Sequence, residues 1–200
     1  MTVSYKYSLI TACLLALVFS LSACSMDYES EVLNERSEKD DWMVNDDESP
    51  LPSWDREHFD GLTYYPVDET YRVMSRIERL PVGQYYRLKM TDGTEEQYQK
   101  YGYAVFDLLG KEHRLLLLKN PRERTTLFLA FGDLTNGKGS YGGGRYLDLE
   151  NNNTGRLELD FNKAYSPYCA YSGQFVCPVP PPENQMDIPI PAGEKTYGAE

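Results

Sequence analysis

Histidine and tryptophan are scarce in this chain, with two of each in 200 residues. With only His58 and His113 to draw on, a histidine-rich metal centre lacks ligands. Cysteine is nearly as sparse: four are present, and no two stand at the C-x₂₋₄-C spacing of structural zinc sites. Neither a metal nor an organic cofactor is therefore expected. Positive charge is also in deficit, 20 Lys and Arg against 31 Asp and Glu, for a formal net charge of −11. Without a basic patch, nucleic-acid binding drops out of the expected functions. The longest apolar run, Leu9 to Ala23, covers 15 residues. A membrane-spanning helix needs about 20.

That run follows Lys6 and ends in Leu21-Ser22-Ala23-Cys24, the layout of a cleavable export signal. The ending resembles the lipobox of bacterial lipoproteins. The resemblance implies that residues 1–23 are removed and that Cys24 leads the mature chain with a thioether-linked diacylglycerol. Two or three acyl chains such as palmitate anchor a protein stably where one does not. A plain cut after Ala23, without lipid, is the alternative. Ser25, rather than an Asp, after the cysteine points to the outer membrane, facing the periplasm. The expected location is the cell envelope, and the expected membrane contact is the lipid on Cys24.

Charge is unevenly spread over the mature chain. Residues 27–60 carry thirteen acidic and three basic side chains, whereas residues 61–200 carry eighteen and sixteen. The first segment reads as a solvated acidic tether over residues 24–49. Its helix formers predict a short helix over 28–44, with Trp42 as a docking side chain. Ser49-Pro50-Leu51-Pro52 ends that helix, and a single β-rich domain is expected over residues 50–200.

From Gly61 the apolar pattern changes to period two. Strands are predicted over 63–65, 71–77, 84–90, 97–101, 103–108, 113–119, 125–131, 145–149 and 156–161. Asp92-Gly93 is a hairpin turn, Gly102 marks a bulge, and Asn151–Gly155 is a hairpin loop. Four consecutive leucines, Leu115 to Leu118, predict a strand buried on both faces. No helical pattern intervenes and no repeat appears. The expected fold is mainly β, an antiparallel sandwich or barrel of about nine to ten strands with a short N-terminal helix and a Pro-rich C-terminal strap.

Once Cys13 leaves and Cys24 is lipidated, Cys169 and Cys177 remain. In an oxidising compartment a disulfide is the default. Closing so short a loop would add roughly 2.5 kcal/mol. Two free structural thiols are the second reading, and a metal pair or a nucleophile the third.

Two near-motifs invite a nucleotide and do not support one. Gly137–Gly142 spells G-x-G-x-x-G, and Gly132–Lys138 spells a phosphate loop that ends in Gly139 rather than Ser or Thr. Both motifs need a helix N-terminus aimed at phosphate. Here the glycines run into Arg145–Leu149, a predicted strand.

The densest unusual chemistry lies between Gly132 and Lys195. It comprises Asp133-Leu134-Thr135, the run Gly137 to Arg145, Asp160-Phe161-Asn162-Lys163-Ala164-Tyr165-Ser166-Pro167-Tyr168-Cys169-Ala170-Tyr171, Cys177-Pro178-Val179-Pro180-Pro181-Pro182-Glu183-Asn184 and Ala192-Gly193-Glu194-Lys195. With Phe59-x-Gly61-Leu62-x-Tyr64-Tyr65-Pro66-Val67 upstream, this series resembles domain-of-unknown-function family 1684 over roughly residues 50–200. The resemblance implies no activity. Longer members of that family carry a further N-terminal β-rich region that these residues lack.

The motif residues support two readings. In one, prolines fix an extended strap while Asp160, Asn162 and Asn184 satisfy its backbone and Tyr165, Tyr168 and Tyr171 pin it onto the sheet. In the other, Asp133, Thr135, Arg145, Asp160, Asn162, Tyr165, Glu183 and Asn184 converge as a ligand site on loops above a rigid scaffold. Arg145 would then clamp a carboxylate or phosphate, and the tyrosines would stack on a sugar or other flat ligand. The leading functional expectation is a membrane-tethered, non-catalytic binding or interaction module with an unidentified envelope partner. The alternative is an envelope hydrolase. It would use two carboxylates among Asp133, Asp160 and Glu183, or Cys169 as nucleophile beside His58 or His113.

Overall fold

The computed structural model describes residues 27–120, 126–151 and 154–198. The stretch read as an export signal, with Cys24, lies outside these residues. The architecture is mainly β, as expected. The strands are β1 (Arg72–Arg79), β2 (Tyr85–Lys89), β3 (Glu95–Leu108), β4 (Lys111–Lys119), β5 (Thr126–Phe131), β6 (Arg145–Glu150) and β7 (Arg156–Asp160). They form one antiparallel sheet in the order β6-β5-β4-β3-β1-β7, with β2 added to the start of β3. The sheet curls until β6 and β7 approach each other, giving a nearly closed barrel.

Among the described residues seven strands stand where about nine to ten were expected. The stretches 97–101 and 103–108 are one strand, because Gly102 absorbs a bulge instead of breaking the ladder; the register against β4 shifts between Lys100 and Gly102. A Cβ at Gly102 would meet the Glu78 carbonyl oxygen at 2.6 Å, so the close approach of β1 requires glycine there. The 63–65 stretch forms only an isolated bridge, Tyr64 to Glu194.

The barrel interior is filled by alternate residues of the strands, among them Leu115, Leu117, Leu127, Leu129, Leu147 and Leu159. Leu116 and Leu118 point the other way, into a second cluster with Leu88 and Tyr98 under β2. The four-leucine strand is therefore buried on both faces, which is why it carries no polar alternation. Among the described residues β4 and β5 pair only at Leu118–Phe128.

The helix expected in the acidic segment forms as α1 (Tyr28–Asn45), capped by Asp27, whose carboxylate accepts from the Ser30 amide at 2.8 Å. It is not a solvated tether, because it packs on the barrel. Met43 is fully buried with Leu51 and Tyr171. Tyr28 donates to Asp160, Arg36 donates to the carbonyls of Tyr65 and Asn162, and Lys39 pairs with buried Glu194. The low apolar content of α1 concealed this docking, since polar side chains make most of its contacts.

Candidate functional site: an aromatic cleft beside a clamped strap

Most of the motif residues hold the C-terminal segment to the barrel. Arg145 starts β6, and its side chain is wholly buried. Its guanidinium donates to Asp133 Oδ2 at 2.9 Å and to the carbonyls of Ile190, Ala192 and Glu194. Asp133 Oδ1 in turn accepts the amides of Thr135 and Ile190. Asn184 reaches between the splayed strands: its Oδ1 accepts from the Leu116 amide at 2.6 Å, and its Nδ2 donates to the carbonyls of Leu116 and Ala130. It replaces the ladder bonds that β4 and β5 do not make. Asn162 bridges the Asp68 backbone, Asp160 and Tyr28, so Asp160 and Asn162 together seat α1.

These residues do not converge at one place. Glu183 is solvent-exposed and accepts from Tyr103. Thr135 Oγ1 shares a hydrogen bond with Ser140 inside the 132–144 loop. The amides of Lys138, Gly139 and Ser140 all turn onto the Thr135 carbonyl, and the chain continues into a strand. The loop's donors are thus consumed locally, consistent with its phosphate-loop spelling carrying no phosphate chemistry.

The cysteine expectation needs correcting. Cys169 and Cys177 are free thiols. The loop between them closes without a covalent bond: the Cys169 amide donates to Cys177 Sγ at 3.0 Å, and the Cys177 backbone pairs with Thr91. Burial and the neighbouring thiol push the Cys177 pKa up to about 12. His58 lies beside the Trp54 carbonyl and His113 against the Phe106 ring, while Cys169 lies beside the Tyr141 hydroxyl.

A cleft of about 560 Å³ lies on the outer face of β5 and β6. Phe128, Tyr146 and Asp148 supply its floor, being out of phase with the core-facing Leu127, Leu129, Leu147 and Leu149. The strap contributes Tyr165, Tyr168, Phe175 and Cys177, and α1 contributes Lys39 and Trp42. The Trp42 and Tyr168 rings are 28° from parallel with centroids 6.1 Å apart. Tyr168 meets Phe175 edge-on, and Phe128, Tyr146 and Tyr165 form a chain of edge contacts.

Several polar groups of the cleft are paired within the protein. Tyr165 donates to Asp148 Oδ2 at 2.5 Å and backs onto β6 through paired backbone bonds with Tyr146. The ammonium of Lys39 stands 4.9 Å from the Tyr165 ring centre while paired with Glu194. Burial raises the pKa of Tyr146 and Tyr165, with Cys177 adding to the first and Asp148 to the second. Both hydroxyls therefore stay protonated at neutral pH.

Of the eight residues expected to converge as a ligand site, Tyr165 alone lines this cleft. Tyr168, expected among the strap's tyrosines, lines it as well, while Trp42, Phe128, Tyr146, Asp148 and Phe175 escaped the ligand-site reading. A signal did exist on β5 and β6, where large aromatics occupy the outward phase that polar residues fill on an ordinary solvated face.

The sequence profile of the family described as Protein of unknown function (DUF1684) matches residues 57–195. The chain belongs to that family. Among solved structures it is similar to a solution NMR structure of an uncharacterized protein from Haloarcula marismortui. The identity is 37% over 87% of this chain and 97% of that one, with a TM-score of 0.69. No curated protein matches it.

Proposed function

We propose that the protein is a lipid-anchored, non-catalytic binding module of the cell envelope, with the aromatic cleft as its ligand site. The cleft itself carries this reading: concave, aromatic-walled and furnished with a few fixed polar groups, it has the form of a small-molecule site. Asp133, Asp160 and Glu183 each serve a separate part of the scaffold, which gives the paired-carboxylate alternative no support. Attachment at Cys24 would hold this domain close to the bilayer, because α1 begins at Tyr28. Four residues reach at most about 14 Å. Trp42 lies fourteen positions further along α1, about 21 Å away, so the cleft sits at the end of the helix remote from the anchor.

Two measurements test the reading. Palmitate labelling and membrane fractionation should give a labelled, membrane-bound protein that becomes unlabelled and soluble in Cys24→Ser. An unlabelled parent chain would overturn the anchor. For the cleft, small-molecule fragments screened by NMR should shift the indole signal of Trp42 and leave that of Trp54, which is 70% exposed elsewhere on the surface. Fragments that shift neither signal would overturn the ligand site.

A further inference from the structure

We infer that one rim of the barrel is a membrane-inserting face, with Leu109 and Leu134 as the side chains that enter the lipid bilayer. The inference rests on attachment at Cys24 as read above, and adds to it a fixed orientation of the domain.

Leu109 carries the argument. β3 and β4 are joined by two residues alone, Leu109 and Gly110, at φ of 54° and 77°. A two-residue hairpin with positive φ at both positions is normally filled by asparagine or aspartate followed by glycine. Leucine is strained there, because its Cβ crowds the backbone. Leu109 is the only residue other than glycine with a positive φ among the described residues. Burial within the domain does not offset the strain, since the side chain is 57% exposed. A residue unfavourable to its own backbone and left outside the core points to a use beyond the fold.

Leu134 stands on the same rim, in the loop after β5, because β5 runs antiparallel to β4 and ends where β4 begins. It is 51% exposed. Lys111, beside the strained turn, pairs with Asp187, and the Leu134 amide donates to the Ile188 carbonyl at 3.1 Å. The two leucines therefore flank one short segment, 187–188, instead of standing at unrelated places on the surface.

Position relative to Cys24 selects the bilayer as the partner. Tyr28, at the start of α1, donates to Asp160 at the end of β7, and its ring lies under Arg72 at the start of β1. Those strand ends belong to the rim that carries Leu109. β7, β1 and β3 are consecutive in the sheet. At about 5 Å per strand, the turn after β3 lies roughly 10 Å around the rim from β7. The lipid on Cys24 would enter the bilayer within a few residues of this rim, and apolar tips beside it would supply a second contact. Two contacts on one rim hold the barrel upright, whereas a lipid alone leaves it free to tumble. Val82 provides the contrast: it is 90% exposed, but lies in the β1–β2 connection at the opposite rim.

The test reconstitutes the full chain, matured in cells, into vesicles of phosphatidylcholine brominated along its acyl chains, which quench tryptophan on contact. Fluorescence is read as the signal added to that of the parent protein. Leu109→Trp and Leu134→Trp should be quenched and Val82→Trp should not. As a check free of substitution, the same lipid without bromine should slow hydrogen exchange at the 109–110 turn and leave residues 82–83 unchanged. Leu109→Asp, which tolerates the left-handed backbone, should melt no lower than the parent yet reduce the quenching of Leu134→Trp. Vesicle-bound protein with positions 109 and 134 unquenched, or quenched no more than position 82, would overturn the inserting face and leave the anchor standing. Undiminished quenching of Leu134→Trp beside Leu109→Asp would also overturn it. A parent chain that carries no lipid and does not float with the vesicles would overturn both.

Discussion

Arg145 and Asp133 form an ion pair of 2.9 Å in which neither side chain reaches solvent. The pair ties the first residue of β6 to the loop after β5, and its remaining valences hold the carbonyls of residues 190–194. Removing one partner leaves the other charge buried and uncompensated. Asp133→Ala and Arg145→Ala should each cost about 3–5 kcal/mol in denaturant unfolding. The double substitution should cost well under their sum, because the stranded charge is then gone. Additive losses would mean that the two side chains act independently.

Asn184 makes a similar prediction for the β4–β5 seam. Replacing it by Ala deprives the Leu116 amide and two carbonyls of their partner, at about 2–4 kcal/mol. Hydrogen exchange should locate the effect, with the Leu116 amide losing protection ahead of amides in β3. A uniform loss across the barrel would show that the seam is not locally stapled.

Docking of α1 is tested at Met43, which is fully buried between the helix, Leu51 and Tyr171. Met43→Ala should destabilise the whole domain by about 2–3 kcal/mol in a single cooperative transition. For a solvated tether the same substitution would leave the melting temperature unchanged.

Alkaline pH should destabilise the protein through a definite set of groups. Burial raises the pKa of Tyr28, Tyr64, Tyr146, Tyr165 and Tyr171 in the folded state, and pushes Cys177 up to about 12 from 9.0. Unfolded, these groups release their protons near pH 9 to 10. Above that range the unfolded state binds fewer protons than the folded one, so stability falls as pH rises. The stabilisation should be complete at pH 7 and decline from about pH 9, with a shallower decline in Cys177→Ser. A melting temperature flat up to pH 11 would contradict it.

The same raised pKa bears on the free thiols. Native Cys177 should react with iodoacetamide far more slowly than an exposed cysteine at pH 8, since the thiolate is the nucleophile. In denaturant both Cys169 and Cys177 should alkylate without prior reduction. A protein that takes up label only after reductant would show them bonded.

Much of the fold was legible because it is written in local alternation. Leu127 and Leu129, or Leu147 and Leu149, declare a core-facing strand without reference to any other part of the chain, and four adjacent leucines declare a strand covered on both sides. The bulge at Gly102 was legible as a place, though not as a continuation of the strand. Its consequence depends on how closely the Glu78 carbonyl approaches, and Glu78 belongs to another strand.

The candidate site was far less legible. Polar residues clustered in sequence, such as Asp160 and Asn162, disperse their hydrogen bonds into α1 and the segment before β1, because buried backbone groups must be satisfied wherever the strap happens to pass. The cleft gathers Trp42 from the helix, Phe128 and Tyr146 from neighbouring strands, and Tyr168 and Phe175 from the strap. The sequence by itself determined which faces of β5 and β6 are aromatic, since alternation is a property of each strand. Only the tertiary structure decided that α1 and the strap would fold over those faces as walls, because that depends on contacts such as Lys39 with Glu194 between residues distant in the chain.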